Sequence, residues 1–354
     1  MATLLKTLSV KKTATETGGH FTKSQWGGPV HAAQARISTA KLNKVLQYEP
    51  RDLTISVGAG MPYAELTALL AANRQMVPLD PPYAAGATIG GVIATNLSGP
   101  RRRLFGTARD LVIGMEFATM EGNLIQSGGM VVKNVAGLDM GKLLIGSYGT
   151  LGVMTSINFK LIPVPPVRRL FLKSFATASE AVAERNQLIQ GVLQPAGIDI
   201  LNPAAAKRLG RQGFLLLMPV GGSAVVMKRY EQELATYESL EDESLFVRTC
   251  EFSADFLKEH PEGSILRVSS RLQGLLPLLE REQNPVLARA ASGVCYVHLP
   301  SRKDSCEGLV EAGSKRGEPS QWAKPGNDLV VMEKIKLMLD PEHLLNKGRL
   351  YGRI

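Results

Sequence analysis

A long glycine-rich stretch in this chain leads directly into a segment with strand periodicity. Between residues 128 and 152, seven of 25 positions are glycine, and residues 153–163 then alternate as VMTSINFKLIP. Glycine allows backbone conformations and close approaches that a side chain prevents, so glycine loops bring N–H groups up against a bulky anionic ligand. The alternation predicts that this loop is built on a sheet. A ligand held against the edge of a sheet is therefore expected.

The composition is that of a globular protein. The chain has 354 residues, of which 44% are hydrophobic and 21% charged, and this length favours two domains. No run approaches the roughly 18 apolar residues of a membrane span. The N-terminus, MATLLKTLSVKK, has too short an apolar core for a secretion signal. These patterns predict a cytoplasmic protein with at most peripheral membrane association.

Cysteine and histidine usage argues against a metal centre. Cys250, Cys295 and Cys306 are far apart without a CxxC motif, which indicates a reducing compartment and no iron–sulfur or zinc site in this chain. The five histidines show no metal-ligand spacing, and HExxH is absent. We expect no bound metal.

The net charge of +9 has its densest cluster at Arg101–Arg103. Aromatic residues make up only 6% of the chain and do not alternate with the basic ones, so no stacking platform for nucleic acid is predicted. The arginines are expected either to meet an anionic cofactor or acidic partner or to lie in a solvated turn.

The sequence does not contain the common nucleotide-binding and hydrolase motifs. Gly58-Ala59-Gly60 lacks the third glycine of a Rossmann fingerprint, and Gly141-Lys142 is followed by Leu143 where a P-loop needs Ser or Thr. No G-x-S-x-G elbow is present.

The pattern of elements changes at Pro163, Pro165 and Pro166. Before them, the sequence predicts strands at 53–57, 110–120 and 123–127, a helix at 62–74 and an irregular segment at 78–103. After them it predicts strands at 169–175, 197–201, 214–220, 246–250, 265–269 and 294–299, and helices at 178–190, 224–240 and 329–339. The β-α-β-β-α order after the prolines is typical of a ferredoxin-like α+β sandwich.

Three glycine-rich loops, at 18–28, 86–99 and 146–152, border strand candidates and could enclose an extended cofactor. The second, with Ala87-Thr88-Ile89-Gly90-Gly91, and the third, with Gly149-Thr150-Leu151-Gly152-Val153, resemble the FAD-binding domain of the vanillyl-alcohol-oxidase/PCMH superfamily. The resemblance implies an α+β fold: a PCMH-type FAD-binding domain of two α/β subdomains, followed by an α+β ferredoxin-like cap. The expected boundaries are 1–163 with a shortened N-terminal subdomain, 164–328 for the cap, and 329–354 for a helix and tail that return to the FAD domain.

Within this superfamily, the chain is similar to the FAD-binding E-type subunits of glycolate oxidase. The similarity lies in Gly99-Pro100-Arg101-Arg102, in Lys133-Asn134-Val135-Ala136-Gly137-Leu138-Asp139, and in the tail from Asp340-Pro341 to Asn346-x-Gly348-Arg349-Leu350-Tyr351. It covers about residues 50–165 and the last twenty or so. Lys133 and Asp139 are expected either to pair with each other or to contact the cofactor.

The resemblance implies a set of FAD-binding residues. They are Gly18, Gly19, His20, Thr22, Ala87, Thr88, Ile89, Gly90, Gly91, Asn96, Ser98, Gly99, Gly149, Thr150, Gly152, Val153 and Ile157. Some relatives attach FAD covalently through histidine, and His20 is compatible with this, although an ordinary polar loop residue is the simpler interpretation.

The resemblance further implies hydride transfer from the α-carbon of glycolate or a related 2-hydroxy acid to the flavin. The expected partners are a second flavoprotein subunit and an iron–sulfur subunit. No catalytic residue follows from the sequence; Arg267 and His298, on cap strand candidates, are the candidates for the carboxylate-binding cation and the base. A stand-alone FAD-dependent dehydrogenase of another alcohol or sugar acid, and a structural subunit that has lost FAD, remain alternatives.

Overall fold

The computed structural model describes residues 1–24, 26–131, 139–301, 309–312 and 326–354. It has the mixed α+β fold that the sequence predicts. Most of the motif at 133–139, including Lys133, and Cys306 lie outside the described residues. Asp139 is described, and its carboxylate pairs with Lys142 at 3.1 Å on the surface.

The part of the chain up to the proline boundary forms six helices and nine strands among the described residues. The helices are α1 (Ala2–Val10), α2 (Tyr63–Ala71), α3 (Ile89–Thr95), α4 (Arg102–Phe105), α5 (Ala108–Leu111) and α6 (Gly141–Leu144). The strands are β1 (Thr15–Gly18), β2 (Ala35–Ser38), β3 (Val45–Glu49), β4 (Thr54–Gly58), β5 (Gln75–Met76), β6 (Val112–Ala118), β7 (Leu124–Gly128), β8 (Val153–Lys160) and β9 (Ile162–Pro163).

Five of these strands form an antiparallel sheet in the order β3-β4-β8-β6-β7. Its side chains and those of α2 and α3 bury a common core that includes Ile55, Phe117, Ile157 and Phe159. Two further pairs, the parallel β1–β2 and the antiparallel β5–β9, lie outside this sheet. The alternating segment after the glycines is β8, in the middle of the five strands, so the third glycine loop is anchored to the centre of the sheet.

The rest of the chain forms seven helices and eight strands among the described residues. The helices are α7 (Ala178–Gln190), α8 (Pro203–Arg208), α9 (Ala224–Glu233), α10 (Ser244–Glu259), α11 (Leu275–Arg281), α12 (Asn327–Leu339) and α13 (Leu350–Arg353). The strands are β10 (Val167–Phe175), β11 (Asp199–Leu201), β12 (Phe214–Gly222), β13 (Glu238–Leu240), β14 (Ser264–Ser269), β15 (Val286–Arg289), β16 (Val294–Leu299) and β17 (Leu309–Ala312).

The eight strands form a single antiparallel sheet in the order β13-β10-β12-β11-β15-β16-β14-β17. The first four follow the ferredoxin-like order fourth-first-third-second, as the β-α-β-β-α pattern predicts. The last four repeat that order in mirror arrangement, so the two groups meet at β11 and β15. The domain boundaries at 163 and 328 remain a prediction.

The two faces of this eight-stranded sheet, which we call the cap sheet, are covered by different helices. One face packs against α7, α9 and α11 and contains Phe171, Leu216 and Tyr230. The other packs against α8 and α10, and its cluster also includes Trp26 and Leu97 from the first half of the chain. The cap sheet and the glycine-loop region therefore share one hydrophobic cluster.

Three elements differ from the sequence predictions. Residues 246–250 belong to helix α10 and not to a strand; α10 buries Leu245, Thr249, Phe252 and Phe256, and this spacing of three to four residues is helical. The helix expected at 224–240 ends at Glu233, and its last residues form β13. The segment 78–103, expected to be irregular, contains α3 and the first residues of α4. Helix α3 forms despite its glycines because the Thr88 side chain caps its N-terminus.

No helix among the described residues is long and apolar enough to span a membrane.

Candidate functional site

The three glycine loops meet around one cleft, which we call the glycine cleft. About 690 Å³ of space, part of it open to solvent, lies between them. The lining residues come from residues 17–24, from α3 and the residue before it, from the start of β8 and the loop before it, and from Arg349 near the C-terminus. Thr39 and Ala59 complete the lining. Segments more than 300 residues apart therefore build one site.

The first loop follows directly from strand β1. The carbonyl of Gly18 accepts a hydrogen bond from the backbone N–H of Thr39 at 2.8 Å, and that of Gly19 accepts one from Oγ of Ser38 at 2.9 Å. A Cβ atom on Gly19 would lie 2.0 Å from Oγ1 of Thr88 in the second loop. Only glycine at this position lets the two loops approach each other.

His20 and Thr22 also line the cleft. The His20 side chain is exposed, and its Nδ1 lies 3.0 Å from the carbonyl oxygen of Gly86. This contact ties the first loop to the second a second time.

The second loop leads into helix α3, and residues of this helix line the cleft. The side chain of Thr88 accepts a 3.4 Å hydrogen bond from the N–H of Gly91, and the N–H of Gly90 donates to the carbonyl of Ala59 at 2.7 Å. A Cβ on Gly90 would lie 2.9 Å from that same carbonyl oxygen, so glycine is required for the packing of α3 on Ala59, the residue that follows β4. Thr88, Gly90 and Gly91 line the cleft, as does Ala94.

Five other residues expected to bind FAD through this loop do not line the cleft. Ala87 and Ile89 are fully buried in the core of the five-stranded sheet. Gly99 lies against Asp80, where a Cβ would be 2.5 Å from the carbonyl oxygen. Asn96 ends α3, and Ser98 follows it; Oδ1 of Asn96 and Oγ of Ser98 are buried without a hydrogen-bond partner among the described residues.

The third loop places Gly149, Gly152 and Val153 in the lining of the cleft. Gly149 has a φ of +73°, which favours glycine, and a Cβ there would lie 2.6 Å from Nδ2 of Asn346. Two other residues predicted from this region do not line the cleft. The hydroxyl of Thr150 is buried and donates to the carbonyl of Ser147 at 2.7 Å, and Ile157 is buried in the sheet core.

The C-terminal tail joins the first and third loops. Oδ1 of Asn346 accepts a hydrogen bond from the N–H of Thr17 at 2.7 Å, and its Nδ2 donates to the carbonyl of Tyr148 at 2.7 Å. Arg349 donates to the carbonyls of Trp26 and, at 3.3 Å, of Ser24. These side chains fix the relative position of two cleft walls.

Two cations in the cleft were not predicted from the sequence. Lys23 is 7% exposed, and its ammonium has no hydrogen-bond partner among the described residues. Its burial lowers the pKa to about 8. Arg349 is 5% exposed, and its Nε likewise lacks a partner, while burial lowers its pKa. For Lys23, the signal available in the sequence was a lysine four residues after the pair Gly18-Gly19.

Two arginines of the cluster at Arg101–Arg103 contact other parts of the chain. Arg101 is bonded through its guanidinium to the buried carboxylate of Asp80, which raises the arginine pKa. Arg103 donates to the carbonyl of Pro195 at 2.7 Å. Arg101 therefore lies neither in a solvated turn nor in the lining of the glycine cleft.

The cap residues proposed for catalysis are not in this lining. His298 is fully buried; its Nε2 lies 2.9 Å from Oγ of Ser253 and its Nδ1 lies 3.0 Å from the carbonyl oxygen of Pro285. Burial lowers its pKa to about 3, so the ring is neutral. Arg267 is on β14, paired with Tyr296 of β16. No cluster of three or more potential metal ligands occurs within the described ranges.

Comparisons with known proteins place this site in context. Residues 18–128 match the family model described as FAD binding domain. Glycolate oxidase subunit GlcE of Escherichia coli (strain K12) is 40% identical over 152 residues, which are 43% of this chain and 42% of that protein. Glycolate oxidase subunit GlcD of Bacillus subtilis (strain 168) is 32% identical over 161 residues, 46% of this chain and 34% of that protein. These matches span less than half of either relative.

Longer similarities are weaker in identity. A mitochondrial D-lactate dehydrogenase [cytochrome] of Arabidopsis thaliana is 25% identical over 370 residues, covering 89% of this chain and 64% of that protein. A solved structure of alkyldihydroxyacetonephosphate synthase superposes with a TM-score of 0.72 at 16% identity, over 98% of this chain and 73% of that one. The shared fold thus extends over both sheets.

Proposed function

We propose that this chain, which carries an FAD-binding domain over residues 18–128, is the FAD-binding subunit of a glycolate-oxidase-like complex that oxidises glycolate or a related 2-hydroxy acid. The observation that carries the proposal is the glycine cleft, because the loops that meet there include those by which the sequence resembles the FAD-binding domain of the vanillyl-alcohol-oxidase/PCMH superfamily. The 40% identity to the Escherichia coli subunit over 152 residues supports the same assignment.

The residues of the cleft fit FAD. Gly18, Gly19, Gly90 and Gly149 line the cleft and let its walls approach each other closely, and Lys23 supplies an unpaired positive charge for an anionic ligand. When bound, FAD would supply the hydride-accepting chemistry for oxidation of the substrate alcohol. The role of the chain is then to orient the cofactor and to exclude water around it.

The chemistry of the lining favours a division of labour between subunits. Among the described lining residues none is Asp or Glu, and His20 is the single imidazole. His298 has both ring nitrogens engaged, so it is poorly suited to act as a base. We therefore assign abstraction of the substrate proton to a second flavoprotein subunit and receipt of the electrons to an iron–sulfur subunit.

A second candidate is a dehydrogenase that turns over a 2-hydroxy acid without partners. Similarity to a D-lactate dehydrogenase over 89% of this chain favours it. Covalent attachment of FAD to His20 is compatible with either candidate, since this side chain is exposed in the cleft.

The experiment compares the chain alone and in its complex. We expect the purified chain to bind FAD and show flavin absorbance, but to reduce an artificial dye with glycolate, D-lactate or D-2-hydroxyglutarate only when co-expressed with its partners. Dye reduction by the isolated chain would favour the second candidate. A chain without flavin absorbance after incubation with FAD would contradict both.

A further inference from the structure

We propose that the ammonium of Lys23 binds the diphosphate of FAD and is its main side-chain cation in the glycine cleft. The inference rests on FAD binding in that cleft, not on the identity of the substrate. It assigns a direct cofactor contact to a side chain that the resemblance does not include among the FAD-binding residues.

The surroundings of Lys23 leave its charge without compensation. The side chain is 7% exposed, yet its ammonium has no hydrogen-bond partner among the described residues. The Tyr83 ring is 6.0 Å from it, at the limit of a cation–π contact. A buried ammonium without a partner is unfavourable, and such groups persist where a ligand completes them.

The nearby acid is already engaged. Glu251 on α10 raises the pKa of Lys23 through its charge, but its carboxylate accepts hydrogen bonds from the N–H groups of Tyr83 at 2.8 Å and Ala84 at 2.7 Å. Glu251 therefore anchors the 83–84 turn to the cap and forms no ion pair with Lys23. The ammonium remains available to an anion in the cleft.

The position of Lys23 in the chain selects the diphosphate among the parts of FAD. Lys23 belongs to the loop that begins with Gly18 and Gly19, and all three residues line the cleft. The diphosphate carries two negative charges at neutral pH, whereas the oxidised isoalloxazine carries none. Backbone N–H groups can bind phosphate oxygens but supply only partial charges, so a full cation adds to them.

Arg349 acts on this site as a positioning residue. Its guanidinium donates to the carbonyls of Ser24 and Trp26, the residues that follow Lys23 in the described chain. The turn is closed further by the N–H of Trp26, which donates to the carbonyl of Lys23 at 3.0 Å. The tail thus holds the backbone from which the ammonium projects.

The test uses the full chain freed of cofactor and measures binding, not turnover. FAD affinity is measured by titration, and ADP affinity by competition with FAD, for the wild type, Lys23→Met, Lys23→Arg and the control Lys228→Met on the exposed side of α9. Loss of a charge-assisted hydrogen bond should weaken FAD and ADP alike by about 10- to 100-fold in Lys23→Met. Lys23→Arg should recover part of this loss, and Lys228→Met should bind both ligands as the wild type does.

The pH dependence gives a second readout. The wild type should lose FAD affinity as pH rises above about 8, where free Lys23 loses its proton, and Lys23→Met should not show this loss. Wild-type FAD affinity in Lys23→Met, weakening of FAD without weakening of ADP, or failure of ADP to compete at all would overturn the inference. If the wild type binds FAD in any of these cases, the proposed function stands; if it does not bind FAD, both fail.

Discussion

The ammonium of Lys336 donates a 2.7 Å hydrogen bond to the carbonyl oxygen of Thr150, and so joins helix α12 to the third glycine loop. The same ammonium pairs with Asp340 at 2.6 Å and donates to the carbonyl of Leu345 at 3.0 Å. Asp340 in turn accepts hydrogen bonds from the N–H groups of Leu344 and Leu345. Both charged side chains are fully buried, so each depends on the other for compensation.

We expect Lys336→Met to destabilise the protein by about 3–5 kcal/mol, because it leaves the Asp340 carboxylate buried without its cation. The change in the free energy of unfolding can be measured by urea denaturation. FAD affinity should also fall, since Thr150 adjoins Gly149 in the cleft wall. Lys334→Met, at an exposed position on the same helix, should change stability by less than about 0.5 kcal/mol. Equal effects of the two substitutions would contradict this account.

Gly19→Ala should push the first and second glycine loops apart. Its Cβ would lie 2.0 Å from Oγ1 of Thr88, and overpacking of this kind costs about 1–3 kcal/mol. A lower melting temperature and weaker FAD binding by titration are expected. Gly129→Ala is the matched control, because nothing lies within 4 Å of a Cβ there. If Gly19→Ala binds FAD as tightly as Gly129→Ala does, the close approach of the two loops is not needed for binding.

Lys23→Met should stabilise the cofactor-free protein while weakening FAD binding. The folded-state pKa of Lys23 is lowered from 10.5 to about 8, so the buried charge destabilises the fold at all pH values below 8. The free energy of unfolding then increases as pH rises from about 8 to 10.5, because in this range the unfolded chain binds more protons than the folded one. At pH 7 the substitution should therefore raise the free energy of unfolding, by roughly 1–3 kcal/mol. A destabilised Lys23→Met apoprotein would show that the ammonium has an internal partner.

Burial of His298 makes the fold acid-sensitive. Its folded-state pKa is about 3, against an ordinary value of 6.5, because burial disfavours the charged ring. The unfolded chain therefore binds the extra proton between pH 6.5 and 3, and stability falls through that window by up to about 1.4 kcal/mol per pH unit from this group. In His298→Gln, the free energy of unfolding, measured by urea denaturation at pH 6, 5 and 4, should decrease less steeply with falling pH than in the wild type. The same pH dependence of the free energy of unfolding in the wild type and in His298→Gln would contradict a neutral buried ring.

The local signals in the sequence were sufficient for many elements. Thr177 and Glu180 form the reciprocal hydrogen bonds of a capping box, and α7 spans Ala178–Gln190 as its cap predicts. The alternation at 153–160 predicts β8, and the β-α-β-β-α order predicts the first half of the cap sheet. In each case, the residues that specify the element lie inside it or next to it.

The signals failed where distant residues decide the structure. Phe246–Cys250 alone resembles a strand, but the burial of Phe252 and Phe256 against the cap sheet extends it into α10. Neither the unpaired ammonium of Lys23 nor the contacts of Asn346 with Thr17 and Tyr148 can be read from the sequence, since both depend on loops that meet only in three dimensions. The glycines that line the cleft are among the residues predicted to bind FAD, whereas Ala87, Ile89 and Ile157 from the same prediction are buried in the hydrophobic core.

The hydrogen bond between Thr17 and Asn346 spans 329 positions of the chain. A ribosome must therefore translate residue 346 before the two walls of the glycine cleft can be joined. Contacts at such separation also form late in folding, since closing a long loop costs entropy before any contact offsets it. Retention of FAD would then report that translation has passed residue 346 and that the two walls have joined, and a chain terminated before that residue would remain without cofactor.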